Sequence, residues 1–579
     1  MEDKLLNLAI ESFEQQHYDT ALELFIVSYE KENNKQWVLD NIYDCYIAGN
    51  EDVFRNSFWM YAEKKDCKYS YEDCVIDFIP YREGEYFLFD KEEQKFCGKI
   101  SANAFKNLDA QEVLGTNEFD NILIKLDWDF RKIGTFLRAA EMGRGVYAIV
   151  DEPEKALSFW KIPELEPYRE NFKIFSCEEE VQQYFHKNTG EYLPRLVFAE
   201  KQEDIDLLEN IIKQEHKYRL TPEGRNNANI LLTIGIPTHN RGNLLLHRLK
   251  NLLTMSYDAE IEIVVAKNGN ALYQEEYRQV EAIQDTRLIY YGVDEELLPQ
   301  KNWYNVVKYA HGEYVLLVSD EDDVDIGALG HYLKILSINK QLSIIRAETH
   351  FQYADLQKEY GKRGLDAFQK VFLNQNYLSG LIVNRKNFME ADVLQFEKYS
   401  DNNFYQSYPH EWWCAVLCKY GDYLAEPFIL VEEQEAVGQT EYEEYEKLGL
   451  MNKRDVFDEN SGLPQYSTYE SRFSQFRGQV EFLRIFMGDD IIGIQLGLGI
   501  AINKLAFLMN LARNYGYKKN QYLDMIDLFA NLSMESIDSF SFNEVQQIEL
   551  LTKTKKACEY LIVEHNKLEM EERVQEGKL

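Results

Sequence analysis

Asp320, Glu321, Asp322 and Asp323 stand in one unbroken acidic run, with Asp325 just beyond. Carboxylates this crowded repel one another unless a cation or solvent offsets them. The residues before them, Tyr314–Val318, form a short apolar run with β-branched members and read as a buried strand. The acids therefore fall at a strand's carboxyl end, where open α/β sheets bind their ligands. A divalent-metal site serving a phosphate-bearing ligand is the chemistry that suits this place; a solvated acidic turn is the plain alternative. Asp320 and Asp322 are two residues apart, so both carboxylates can face one crevice, with Glu321 pointing away.

The elements that must position these acids precede them. Ile230–Ile236 has a buried-strand pattern that is expected to stop at Pro237, followed by Thr238-His239-Asn240-Arg241 and a helix over Asn243–Thr254. A second strand, Ile261–Ala266, ends in Lys267-Asn268-Gly269-Asn270, and a third is expected over Arg287–Tyr291. A helix over Asn302–Ala310 then leads through Gly312 to the acidic strand. Strand–loop–helix units with polar residues at each carboxyl end build a doubly wound α/β sheet around one ligand crevice.

The succession I-P-T-H-N-R, V-V-A-K-N-G-N and N-x₇-A-x-G-x-Y-x-L-x-V-S-D-x-D-D resembles the inverting family 2 glycosyltransferases. Tyr377-Leu378-Ser379-Gly380 with Arg385, and His410-Glu411-Trp412-Trp413 with Gly421 and Glu426-Pro427, extend the resemblance over 228–435. It implies a GT-A-type, Rossmann-like nucleotide-sugar-binding core and transfer from a nucleotide-diphosphate sugar, UDP by default. It also implies nucleotide-sugar contacts from Pro237, Thr238, His239, Asn240, Arg241, Asn268, Gly269, Asn302, Asp320, Ser379 and Gly380. Asp322 is the implied metal ligand, with Asp320 and Asp323 beside it, and Mn²⁺ or Mg²⁺ the implied cofactor. Such an ion offsets the charge that builds on a departing diphosphate. An inverting displacement also needs a carboxylate to take the acceptor's proton. Glu411 matches that place, His410 is the fallback, and Trp412 or Trp413 could stack on a sugar. Two departures stand out: Lys267 replaces an acid that usually meets the base, and Glu411 replaces an Asp.

The flanks read differently. Residues 1–65 have helical spacing, with Ala9, Phe13, Tyr18, Ala21 and Phe25 resembling a tetratricopeptide-type hairpin. Short apolar runs over 70–220 suggest a small α/β accessory domain, and 465–570 a helical C-terminal domain. The helical ends could dock a partner or self-associate. A formal charge of −36 argues against nucleic-acid and anionic-membrane surfaces. The eight scattered cysteines read as free thiols of a reducing, cytoplasmic setting, and Met1–Gln16 does not read as a secretory signal. Ile491–Ala512 is expected to be a buried helix rather than a membrane span. The expected partners are a nucleotide-sugar donor and a glycan or protein acceptor. Two rival readings remain: a nucleotidyltransferase, whose basic Gly-rich loop is not matched by Pro237–Arg241, and a binding or scaffold protein on a degenerate transferase core.

Overall fold

The computed structural model describes residues 2–31, 35–65, 67–105, 121–141, 143–225, 229–255, 260–269, 272–349, 356–374, 377–393, 398–434, 446–447, 449, 464–513 and 519–575. The chain divides between Asn229 and Ile230, just past the turn-rich stretch that begins at Thr221. Most of the acidic, tyrosine-rich segment Glu432–Glu446 and the turn at Asn460-Ser461-Gly462 lie outside the described residues.

In the first unit, helices Glu2–Glu14 and Tyr18–Lys31 form a hairpin that buries Ala9, Ala21, Leu22 and Phe25. A third helix, Lys35–Ile42, then widens into a π turn at Tyr43–Ile47. Three antiparallel strands follow: β1 (Ile76–Arg82), β2 (Glu85–Asp90) and β3 (Lys95–Ser101). Their alternation splits their side chains between two cores. Ile79 and Phe89 pack under the hairpin, while Phe78, Tyr86 and Leu88 join Trp160 and helix Glu51–Lys65. The hairpin is thus a cap on this sheet. Strand β3 escaped the sequence reading because Lys95, Gly98 and Lys99 are exposed and break the apolar run. Four parallel strands, β4 (Ile122–Leu126), β5 (Val146–Val150), β6 (Phe172–Phe175) and β7 (Leu196–Ala199), lie in the order β6-β5-β4-β7. All four were expected from their apolar runs.

The second unit is built on a nine-stranded sheet. Parallel strands β8 (Leu232–His239), β9 (Ile261–Asn268), β10 (Leu288–Gly292) and β11 (Tyr314–Leu317) lie in the order β10-β9-β8-β11. The sheet continues through β15 (Leu381–Asn384), β13 (Leu342–Thr349) and β16 (Asp422–Glu432), with β12 (Asp323–Val324) and β14 (Glu359–Gly361) paired to β16. The strand order reverses between β8 and β11, so the crevice beyond their carboxyl ends is the switch point.

Strand β8 does not stop at Pro237; it pairs with β9 as far as His239↔Asn268. Gly235 accepts from the Val318 N–H at 3.0 Å, so alternate residues of β8 face β11. By Pro237 the β11 chain has turned into the acidic run, and the proline's missing N–H leaves no gap in the ladder.

Helices Tyr469–Met487, Ile491–Arg513, Lys519–Asp538 and Glu544–Gln575 follow. They are not a separate core: Phe476, Phe482, Leu498 and Leu505 belong to one apolar cluster with Trp412, Val315 and Leu381 of the sheet domain. The stretch Ile491–Leu511 is long and apolar enough to cross a bilayer, and half of it is buried in this cluster.

Candidate active site

The site grows from the ends of β8 and β11. Asp320 and Asp322 are 3% and 2% exposed, so their solvation must be replaced by specific donors. The Thr238 hydroxyl donates to Asp320 Oδ2 at 2.7 Å, and Arg241 Nη1 donates to Asp320 Oδ1 at 3.2 Å. Arg241 also pairs with Glu321 at 3.2 Å, so Glu321 does not point away from the crevice as its place in an extended segment suggested. The turn Ser319–Asp322, closed by the Asp322 N–H to Ser319 O bond, breaks the alternation on which that expectation rested. Asp323 pairs with Arg248 Nη1 at 2.6 Å, while Arg248 Nη2 donates to Glu321 O at 3.0 Å.

Asp322 is held otherwise. Its Oδ2 accepts from the Tyr377 hydroxyl at 2.6 Å and from the Ser379 hydroxyl. Among the described residues its Oδ1 meets only the Gln434 N–H, at 3.4 Å. Burial pushes both carboxyls above their usual range; Arg241 and Thr238 oppose this at Asp320, and Ser379 and Tyr377 at Asp322. Burial and the Asp322 charge together push the Tyr377 hydroxyl up, keeping it a donor. Gly380, at φ +86°, turns the chain here, and its N–H donates to Leu317 O at 3.1 Å.

The other expected contacts surround this centre. His239 is exposed and pairs with Glu296 at 2.6 Å. Asn240, at φ +56°, accepts from the Leu272 N–H at 3.1 Å and shapes the loop. Asn302 donates to Ala266 O at 2.9 Å and Thr238 O at 3.4 Å, clamping the ends of β8 and β9. Asn268 donates to Leu297 O at 3.1 Å, and among the described residues its buried Oδ1 has no hydrogen-bond partner. Lys267 is buried and reaches Asp294 at 3.2 Å.

Glu411 lies apart from these hydrogen bonds, in the first turn of helix Pro409–Leu417, every residue of which is buried. Trp412 packs among Tyr399, Phe404, Tyr405 and Phe482, and Trp413 against Trp303 and Phe388. Both are 0% exposed, so neither offers a face to a sugar; their bulk goes to the core. His410 lies 5.9 Å from Trp303, ring to ring and tilted by 58°, and Trp303's chain neighbour Asn302 clamps the crevice. One helix, Pro299–Tyr309, therefore touches both regions. Burial lowers the Lys504 ammonium, and Glu411 opposes that shift while Arg346 and Arg472 add to it.

Two contributors were not read from sequence. Tyr277 shares a 2.9 Å hydrogen bond with Thr238 and accepts from the Arg241 N–H at 2.9 Å. It sits with Val280 on the buried face of helix Gln274–Glu281, a spacing that would have located the helix. Arg248 lies two helical turns beyond Arg241, which could have marked a basic stripe near the acids.

Residues 233–351 match the family model described as glycosyl transferase family 2. The matched stretch is a glycosyl transferase family 2 region. It runs from β8 through the acidic turn to β13. No protein of curated function matches the chain. Among solved structures, it is similar to TarS 1–349 of S. aureus at 12% identity and a TM-score of 0.32, over 54% of this chain and 93% of that one. It is also similar to the mannosyltransferase PcManGT of Pyrobaculum calidifontis, in complex with GDP-Man and Mn²⁺, at 12% identity and a TM-score of 0.29, over 62% and 94%. Among the described residues, no three His, Cys, Asp or Glu side chains converge as a complete metal cage.

Proposed function

We propose that the chain is a metal-dependent, inverting hexosyltransferase that moves a sugar from a nucleotide-diphosphate sugar, UDP-linked by default, to a glycan or glycoprotein acceptor. The observation that carries this reading is the buried acidic turn at the sheet's switch point, with Asp322 Oδ2 held and Oδ1 nearly unengaged. A site for Mg²⁺ or Mn²⁺ of this kind needs only one or two carboxylates, with substrate phosphates and water completing it. Asp322 fits that role, with Asp320 beside it. When bound, the ion supplies a counter-charge for the leaving diphosphate.

The chain's own groups supply the rest. Arg241 and the β8 loop face the phosphates, and Asn268 Oδ1 offers the base an acceptor. The acceptor hydroxyl attacks C1 as the bond from C1 to the diphosphate oxygen breaks. Glu411 takes the hydroxyl's proton, and the nucleoside diphosphate leaves with the bonding pair. A binding protein on a transferase core is the second reading. It is favoured by Lys267, tied to Asp294, and by the burial of Glu411.

Hydrolysis of a panel of nucleotide sugars, with and without Mn²⁺, separates the two. Asp322→Ala is expected to lower turnover by about 10²–10³-fold, the scale of losing preorganised charge stabilisation, without changing the far-ultraviolet circular dichroism spectrum. Glu411→Gln should lower transfer by about 10²–10⁴-fold at unchanged donor affinity. Full activity in excess chelator would remove the metal role, and turnover of no nucleotide sugar under either condition would favour the binding protein.

A further inference from the structure

The four acids of the turn are neutralised unequally. Asp320 and Glu321 share Arg241 at 3.2 Å, and Asp323 has Arg248 at 2.6 Å. Among the described residues, Asp322 alone of the four has no arginine; its partners there are the hydroxyls of Tyr377 and Ser379 and the Gln434 N–H. A guanidinium would orient a carboxylate and cancel its charge together. Hydroxyl donors orient it and leave the charge available to a cation. Both hydroxyls converge on Oδ2, so Oδ1, which accepts the long Gln434 N–H bond at 3.4 Å, keeps lone-pair capacity for a cation. The Ser379 oxygen accepts from the Ser319 N–H at 2.8 Å, which directs its own proton to Asp322. The turn that carries both residues is anchored to β11 by the Gly380 N–H to Leu317 O bond.

We infer that Tyr377 and Ser379 are positioning residues, which hold Asp322 with Oδ1 presented to a divalent cation and do not contact the transferred sugar. This rests on the metal-dependent reading above and reassigns Ser379, expected from sequence to border the sugar. It also makes Asp322 the metal carboxylate, while Asp320 and Asp323 are committed to Arg241 and Arg248.

The test is Mn²⁺ binding to the full chain, followed by electron paramagnetic resonance of the free ion, with and without UDP. Outer partners of metal ligands typically account for about 10–100-fold in affinity. Tyr377→Phe and Ser379→Ala should each weaken Mn²⁺ by at least about tenfold on that scale, and Ser379→Thr, which keeps the hydroxyl, should restore it. The difference in affinity between UDP-sugar and UDP, measured in chelator, should stay at the wild-type value in all three. Wild-type Mn²⁺ affinity in both hydroxyl deletions overturns the inference, as does a loss confined to the sugar-dependent difference. A wild-type chain that binds no Mn²⁺ even with UDP overturns both the inference and the metal-dependent reading, which tells the two failures apart.

Discussion

Replacing Gly380 with alanine tests the turn that carries Ser379 to Asp322. Two costs can be worked from the structure. At φ +86° an L-residue is strained, and holding one there costs about 1–3 kcal/mol. The added Cβ would also lie 2.9 Å from Thr349 Cγ2 and 3.2 Å from Ala347 O. The carbonyl cannot retreat cheaply, because the Ala347 N–H donates to Gly380 O at 2.9 Å across the same contact. Overpacking of this kind adds about 1–3 kcal/mol. Gly364 is the control: its φ is +102°, but nothing lies within 4 Å of its Cβ position. Urea unfolding followed by tryptophan fluorescence should show Gly380→Ala to be the less stable variant by about 1–3 kcal/mol, the overlap cost alone. Its Mn²⁺ affinity should fall as well, because the turn carries Ser379. Equal destabilisation by the two substitutions would show that the turn admits a methyl group, and the argument from close approach would fail.

Two further outcomes follow from the core. Trp412→Ala should cost about 3–5 kcal/mol in urea unfolding, the range for losing a buried aromatic; a loss below about 1 kcal/mol would mean that the site collapses freely around the missing ring. Burial pushes the Cys74 thiol up to about 12 and raises Cys414 and Cys418 well above the usual thiol range, so at pH 8 none of the three carries appreciable thiolate. A disulfide reagent should leave these three unmodified in the native chain and reach them only after denaturation, as mapped by mass spectrometry. Native labelling of Cys414 would show that helix Pro409–Leu417 opens.

Strand positions were largely legible because buried parallel strands are continuous apolar runs ending in polar residues, a purely local pattern. Tyr314–Leu317 and the acids after it could be placed at a ligand crevice on that basis alone. Pro237 misled, because whether a proline ends a strand depends on the neighbour facing it. Trp412 and Trp413 were offered to a sugar because aromatic type does not reveal exposure; in the fold both are consumed by the core.

The sequence by itself determined that several carboxylates crowd the end of a buried strand and that a nucleotide-binding type of sheet surrounds them. Only the tertiary structure decided what each carboxylate does. The side-chain partners of the acidic run lie 55 to 82 residues away in sequence and are delivered by separate connecting segments. Two of them are arginines, which cancel the charge they hold, and three are hydroxyls, which do not; Asp320 has one of each kind, and among the described residues the side chains on Asp322 are hydroxyls alone. That difference singles out Asp322, and no spacing within Asp320–Asp323 encodes it.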